Sequence, residues 1–189
     1  MKLILTRHGE TVENKKKIMQ GHLPGRLSRL GKEQAKKLAL RLKNEKIDAI
    51  YSSDLKRASD TAREIAKFHQ GIPFILEQKL REVDLGAYTG KSRAEIDWNR
   101  RPKGIETRAS MRKRVKKLLD WVYMKHPFGT VLFVGHNGIN KALMSIIFNK
   151  AAKDMDKIPK LLNTGVSIFE IKENKKHIVH LLNSVEHLE

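Results

Sequence analysis

The stretch 1–11, MKLILTRHGET, sets a run of β-forming residues directly before a cation, an imidazole and a glycine. The apolar residues 3–6 predict a buried strand. Arg7 and His8 follow where that strand ends. Two interpretations are open: the polar residues mark only where the strand leaves the core, or the strand serves to hold His8 in place.

Further strand-like runs alternate with amphipathic helical stripes along the rest of the chain. Such alternation predicts an α/β fold, a three-layer α/β/α sandwich with a mainly parallel mixed sheet. The last two runs are joined by the polar segment KENKK, which predicts an antiparallel pair at one edge. The strand-like runs are 3–6, 48–52, 73–77, 130–135, 166–171 and 177–182, and the helical stripes lie within 35–42, 58–66, 111–122 and 139–147.

Length and composition limit the class of protein. The chain of 189 residues fits one domain, 1–189, and its polar stretch at about 86–106 predicts a short insertion that acts as a lid. The absence of cysteine excludes disulfides and thiolate chemistry, and together with the lack of a signal-like start it predicts a cytoplasmic protein. Without an apolar run of 18 residues, we expect no membrane partner.

The net charge of +18 is the unusual property of the composition. It could reflect a solvated surface, attraction of anionic small molecules, or binding of nucleic acid. Many of the lysines and arginines fall on predicted helix faces, which is typical of a solvated surface. Aromatic residues make up 6% and none interleaves with the basic runs, which argues against nucleic acid as a partner. The sequence does not indicate an oligomeric state.

Three predicted strands end in residues that suit phosphate chemistry. If these strands are parallel, their ends meet at the ligand-binding edge of the sheet. Arginine forks match phosphate oxygens, and a neutral imidazole can attack phosphorus. Glycines after the two histidines would let the backbone turn close to a ligand. The residues after the three strands are Arg7 and His8, Ser53 and Arg57, and His136 and Asn137.

Other interpretations of these residues remain open on the sequence alone. A single histidine at a strand end is often structural, and Arg57 could simply belong to a helix surface. His8, His136 and an acid could ligate zinc, but adjacent arginines would repel a cation and no HExxH-like spacing is present. The chemistry also needs a carboxylate to protonate the leaving oxygen. The residues alone do not choose between Glu10, Glu82 and Glu106.

Ordered motifs over residues 3–169 resemble the histidine phosphatase superfamily, in its phosphoglycerate mutase-like branch. Residues 7–11, RHGET, resemble its RHGE[ST] signature, and residues 134–138, VGHNG, resemble its second histidine block. The other matching blocks are Asn14, Gln20-Gly21, LSRLGKEQA at 27–35, SSDLKRASDTA at 52–62, LREVDLGAYTG at 80–90, and GIET at 104–107 with Arg114 downstream.

The resemblance implies roles for individual residues. His8 would be the nucleophile and become a phosphohistidine, surrounded by Arg7, Arg57 and His136. Glu82 would protonate the departing alkoxide and then activate water. The remaining phosphate-binding residues would be Asn14, Gln20, Gly21 and Asn137, and the family's chemistry uses no metal.

The same family contains phosphatases and mutases, and the sequence has features that bear on the choice. Glu82 and His136 are only 54 positions apart (136 − 82), which leaves room for a small lid and one helix. We therefore predict a metal-independent phosphatase of small phosphorylated metabolites, without a cofactor. The alternative is a phosphoglycerate mutase that uses 2,3-bisphosphoglycerate, with Arg100 and Arg101 as a clamp for a substrate carboxylate. A basic surface turn is the other interpretation of those two arginines.

Some positions depart from the family pattern, and they leave the substrate open. Gly135 stands where serine is frequent, Asn137 replaces a common glycine, Glu13 stands where an aromatic is frequent, and Thr107 replaces a common serine.

Overall fold

A six-stranded mixed sheet forms the centre of the computed structural model, which describes residues 1–97 and 104–189. The strand order is β3-β2-β4-β1-β5-β6. The first four strands in this order run parallel, whereas β5 is antiparallel to both β1 and β6. The strands are β1 (Lys2–Arg7), β2 (Ala49–Ser52), β3 (Phe74–Leu76), β4 (Thr130–Gly135), β5 (Val166–Glu170) and β6 (Ile178–Ser184). The mainly parallel sheet with an antiparallel edge pair confirms the prediction.

Helices cover both faces of the sheet, which confirms the three-layer α/β/α fold. Side chains on one face of the strands pack against α4 and α5, and those on the other face pack against α2 and α3. The two cores alternate along β1, since Leu3 and Leu5 belong to the first and Ile4 to the second. The helices are α1 (Val12–Lys15), α2 (Arg29–Leu42), α3 (Lys56–Ala66), α4 (Arg108–Lys125) and α5 (Asn137–Ile147).

The register of the central strands brings the predicted site residues to one edge. Arg7 lies opposite Gly135, and Ser52 lies opposite Val134. The residues that follow β1, β2 and β4 therefore leave the sheet side by side. Because β5 is antiparallel to β1, the residues that precede β5 reach the same edge, which the sequence pattern did not indicate.

The polar stretch after Leu85 forms short 3₁₀ turns at Gly86–Tyr88 and Arg93–Glu95, and we call residues 86–97 the lid segment. Its backbone is hydrogen-bonded to residues 17–19: Met19 N donates to Lys91 O (2.9 Å), Gly90 N to Met19 O (2.8 Å), and Arg93 N to Lys17 O (3.0 Å). Leu85, Tyr88 and Ile96 form a small hydrophobic core of their own, which packs the segment against the rest of the protein. Movement of this segment as a lid stays a prediction, and Arg100 and Arg101 lie outside the described residues.

None of the helices within the described ranges is both long and apolar enough to cross a bilayer.

Candidate active site

His8 lies directly after β1 and is almost completely buried, with 3% of its surface exposed. Its backbone is held on two sides, because its N–H donates to Gly135 O (3.1 Å) and its carbonyl accepts from Asn163 Nδ2 (2.8 Å). The ring Nδ1 is 2.7 Å from the Gly9 carbonyl, to which it donates. The lone pair of the neutral ring is therefore on Nε2.

Burial and two neighbouring cations keep the His8 ring neutral. Desolvation, followed by the charges of Arg7 and Arg57, holds the pKa of His8 well below its usual value. A neutral imidazole at neutral pH is the state that a nucleophile requires.

Arg7 and Arg57 supply fixed positive charge next to this ring. The Arg7 side chain donates from Nη1 to Leu161 O (2.9 Å), while its buried Nε has no hydrogen-bond partner within the described part of the chain. A buried unpaired donor beside the His8 ring is a natural contact for an anionic oxygen. Burial lowers the pKa of both guanidinium groups. The pKa of Arg57 falls to about 10, which still leaves Arg57 charged at neutral pH.

Carbonyl oxygens of the loop 21–24 hold Arg57 in place. Arg57 Nη2 donates to Gly21 O (2.9 Å), and Nη1 donates to the Leu23 carbonyl. Its Nε donates to His136 Nδ1 (3.2 Å). Since these bonds use most of the five donors of the fork, the guanidinium is oriented before any ligand binds.

His136 lies 5.1 Å from His8, ring centre to ring centre, and is completely buried. Its Nδ1 accepts from Arg57, so its Nε2 carries the proton and donates to Ser53 Oγ at 2.8 Å. Desolvation and then the charge of Arg57 keep the pKa of His136 well below its usual value. The structure thus brings both histidines and both arginines together, as the three strand ends predicted.

Glu82 reaches the same place from a distant part of the chain. Its carboxylate lies at the N-terminus of α5, where Oε2 accepts from Gly138 N (3.1 Å) and Oε1 accepts from Ile139 N (3.2 Å). These N–H groups have no partner inside the helix, and the helix dipole also favours an anion there. Helix α5 therefore carries His136 at its cap and Glu82 at its first turn.

The other two carboxylates that the sequence left open are placed differently. Glu10 Oε1 accepts from the Ser28 hydroxyl (2.7 Å) at the start of α2. Glu106 forms an ion pair with Arg114, with 2.7 Å between Nε and Oε1. Arg114 in turn donates to the carbonyls of Lys79 (2.6 Å) and Glu82 (3.1 Å). Glu106 thus contributes to positioning the chain segment that bears Glu82.

The remaining predicted phosphate ligands line one cavity of about 410 Å³ together with His8, Arg7, Arg57 and Glu82. Asn14 Oδ1 accepts from Thr11 N (3.3 Å), so the Asn14 amide N–H groups are left to donate to a ligand. Gln20 is bonded to Thr11 Oγ1 (2.9 Å), and Gly21 lines the wall beside it. Asn137 also lines the cavity, and its Oδ1 accepts from Leu161 N (3.0 Å).

The glycines after the two histidines, Gly9 and Gly138, were expected to let the backbone turn close to a ligand, but in the structure they make room for other parts of the chain. A Cβ on Gly9 would lie 2.4 Å from the Gly31 carbonyl oxygen, so Gly9 allows α2 to pack against the chain after β1. A Cβ on Gly138 would lie 2.3 Å from Glu82 Oε1. Gly138 therefore allows the carboxylate to reach the helix N-terminus.

The sequence analysis placed Ser53 at a strand end without assigning it as the partner of His136, and it missed Asn163, the partner of the His8 carbonyl. Ser53 directly follows β2, so its position was a usable signal. Asn163 precedes β5, and only knowledge that β5 is antiparallel would have placed it at this edge.

One small cavity is lined by a buried histidine with a free Nε2, two guanidinium groups and a carboxylate, which together define a phosphomonoesterase site on an α/β sandwich. No group of three or more His, Cys, Asp or Glu side chains that could hold a metal ion occurs in residues 1–97 and 104–189.

Comparison with known proteins agrees with this class of enzyme. The family model for the histidine phosphatase superfamily (branch 1) matches residues 3–184. Phosphoserine phosphatase 1 of Hydrogenobacter thermophilus is 33% identical over 100% of this chain and 94% of its own length. The chain belongs to the histidine phosphatase superfamily, as the sequence motifs predicted.

Solved structures share the whole fold of this chain. The structure of Bacillus stearothermophilus YhfR superposes with a TM-score of 0.92 at 29% identity, over 100% of this chain and 99% of that one. A phosphoserine phosphatase from Entamoeba histolytica, solved with 3-phosphoglyceric acid, gives a TM-score of 0.87 at 28% identity, over 100% and 99% of the two chains.

Proposed function

We propose that this protein is a metal-independent phosphatase that hydrolyses monoesters of small phosphorylated metabolites through a phosphohistidine at His8. The observation that carries the proposal is the position of the His8 ring. It is neutral, it donates from Nδ1 to Gly9 O, and it lies between two guanidinium groups and a carboxylate that share one cavity.

In the first step, His8 Nε2 attacks phosphorus and the bond from phosphorus to the ester oxygen breaks. The electron pair of that bond stays on the departing oxygen, which takes a proton from the Glu82 carboxyl group. Arg7, Arg57 and the Asn14 amide stabilise the charge on the three phosphoryl oxygens. Such oriented donors contribute most of the rate enhancement in phosphoryl transfer.

In the second step, water attacks the phosphohistidine. Glu82, now a carboxylate, accepts a proton from that water, the bond from phosphorus to Nε2 breaks, and the electron pair returns to the ring. Phosphate leaves and Glu82 is protonated again for the next cycle. The hydrogen bond from Nδ1 to Gly9 O keeps the ring oriented through both steps.

The test is phosphate release from p-nitrophenyl phosphate in EDTA, with vanadate as inhibitor. Denaturing gel analysis after brief incubation with labelled substrate would show an acid-labile label on the parent and none on His8→Ala. Loss of the label together with turnover supports the proposal. A His8→Ala protein that turns over like the parent would overturn it, as would full inhibition by EDTA.

A phosphoglycerate mutase is the second candidate, because the same residues could pass the phosphoryl group to a second hydroxyl instead of water. The short segment between Glu82 and His136 favours the phosphatase. Stimulation by 2,3-bisphosphoglycerate, with conversion of 3- to 2-phosphoglycerate faster than phosphate release, would favour the mutase.

The cytoplasmic location also remains a prediction, which cell fractionation would test.

A further inference from the structure

His22 lies in the loop that holds Arg57. The carbonyls of its two neighbours, Gly21 and Leu23, accept hydrogen bonds from Nη2 and Nη1 of that arginine. The residue between these two carbonyls, His22, is half-buried, and neither step of the proposed reaction uses its ring. Its place in the loop ties it to the guanidinium that binds the phosphoryl oxygens.

The His22 ring also contacts the segment that bears the proposed acid. Its Nε2 lies 2.9 Å from the Glu82 carbonyl oxygen, and because a carbonyl can only accept, the ring donates. The same oxygen accepts from Arg114 Nη2 at 3.1 Å. Two donors, 60 and 32 positions away in the sequence, thus hold the main chain of Glu82.

Other contacts fix the remaining parts of this segment. The carboxylate of Glu82 is held by N–H groups at the start of α5. Arg81, the preceding residue, donates from Nε to Asp54 Oδ1 at 2.8 Å, independently of His22. The segment therefore stays attached to the protein when His22 is replaced. What His22 adds is a direct hydrogen bond between the segment and the loop that holds Arg57.

We infer that His22 is a positioning residue of the phosphatase reaction, which sets the distance between the Arg57 guanidinium and the Glu82 carboxylate. The attacking and leaving atoms lie roughly in line with phosphorus during phosphoryl transfer. The acid must therefore meet the leaving oxygen at a set distance from the arginine that binds the phosphoryl oxygens. This inference rests on the proposed function and adds to it a residue that touches neither substrate nor reacting atoms.

Replacements of His22 separate the hydrogen bond from the bulk of the ring. His22→Gln keeps an N–H donor at about the reach of the imidazole Nε2, whereas the amide of His22→Asn is too short and His22→Leu has no donor. We expect kcat/KM for phenyl phosphate to fall about tenfold in the Asn and Leu variants, as for the loss of one hydrogen bond. The Gln variant should stay within about twofold of the parent.

The leaving group shows which catalytic group the loss reaches. Phenolate is strongly basic and needs a proton to depart, whereas p-nitrophenolate, of nearly the same size, departs without one. A loss that passes through Glu82 therefore appears on phenyl phosphate and stays within about twofold on p-nitrophenyl phosphate. In a Glu82→Gln background, His22→Leu should slow the turnover of phenyl phosphate no further.

His69→Leu is the matched control. His69 is also half-buried, and its Nε2 lies 3.1 Å from the Leu42 carbonyl at the C-terminal end of α2. The control variant loses the same kind of hydrogen bond and should keep the kcat/KM of the parent on both esters. Thermal unfolding of the His22 and His69 variants shows that each is folded under the assay conditions.

The outcomes separate this inference from the proposed function. Parent-like turnover of phenyl phosphate by His22→Asn would overturn the inference, and so would equal losses on the two esters. A Gln variant as slow as the Asn variant would overturn it as well, because the effect would then come from loss of the ring. In all these cases the parent still turns over both esters. Absence of turnover of both esters by the parent would instead refute the proposed function, and the inference with it.

Discussion

Replacing Gly138 with alanine should displace the carboxylate of Glu82, the proposed acid, without changing Glu82 itself. The new Cβ would lie 2.3 Å from Glu82 Oε1, whereas a methyl carbon and an oxygen normally stay roughly 3.2 Å apart. The carboxylate, at the end of a flexible side chain, must therefore retreat by about 1 Å. It then loses its hydrogen bonds from Gly138 N and Ile139 N.

A displacement of this size at a reacting group costs about 100-fold in rate, or about 2.7 kcal/mol in activation free energy. The loss should appear in kcat/KM for alkyl phosphates, whose leaving oxygen needs a proton. It should be much smaller in kcat/KM for p-nitrophenyl phosphate, because p-nitrophenolate is a weak base and departs without one. Steady-state assays of both substrates, with thermal unfolding to confirm the fold, make the comparison.

A double-mutant cycle shows whether the effect passes through Glu82. If it does, Gly138→Ala combined with Glu82→Gln should be no slower on alkyl phosphates than Glu82→Gln alone. Parent-like turnover of alkyl phosphates by Gly138→Ala would refute the reasoning. So would equal losses on both kinds of substrate, because those would point to a general disturbance of α5.

The buried histidines, Gly31 and Arg114 can each be tested by a separate measurement. Burial, and next the neighbouring arginine charges, hold the pKa values of His8 and His136 well below that of a histidine in the unfolded chain, so stability should fall as pH drops below about 6.5. Urea unfolding between pH 7.5 and 5.5 measures the free energy of unfolding as a function of pH. If His8→Asn shows the same dependence on pH as the parent, the prediction for His8 is wrong. Gly31→Ala sets a Cβ 1.9 Å from the backbone oxygen of Glu10 and should lower the free energy of unfolding by about 3 kcal/mol. Lys36→Ala, at an exposed position of the same helix, is the control. An equally small loss in both variants would show that α2 moves to accommodate the new methyl group. Arg114→Lys keeps the charge but loses the planar guanidinium that donates to the Glu82 carbonyl. We therefore expect kcat for alkyl phosphates to fall about tenfold with KM little changed. A change in KM alone would instead assign Arg114 to substrate binding.

The sequence pattern predicted the sheet and the three strand ends because both depend on short-range periodicity. Strands β1, β2 and β4 are continuous apolar runs, and their chemistry-bearing residues follow immediately. The parallel arrangement then requires Arg7, Arg57 and His136 to meet at one edge.

The acid could not be found in the same way. Glu82 lies in an irregular segment, and its position depends on long-range contacts with α5 and Arg114 that no local pattern encodes. Only the family resemblance selected it over Glu10 and Glu106. The packing that requires Gly9 and Gly138 could not be predicted either, because these glycines contact Gly31 and Glu82, which are far away in the sequence.

The N-terminus of α5 has a consequence for how this enzyme could be altered. His136 caps the helix and Glu82 binds its first turn, so a small rotation of α5 would carry both groups relative to His8 while their mutual spacing stays the same. Substitutions in the buried face of α5, at Leu143 or Ile147, would thus change the distance from the His8 ring to the Glu82 carboxylate. Directed evolution toward bulkier leaving groups could therefore target these buried positions in addition to the residues that line the cavity.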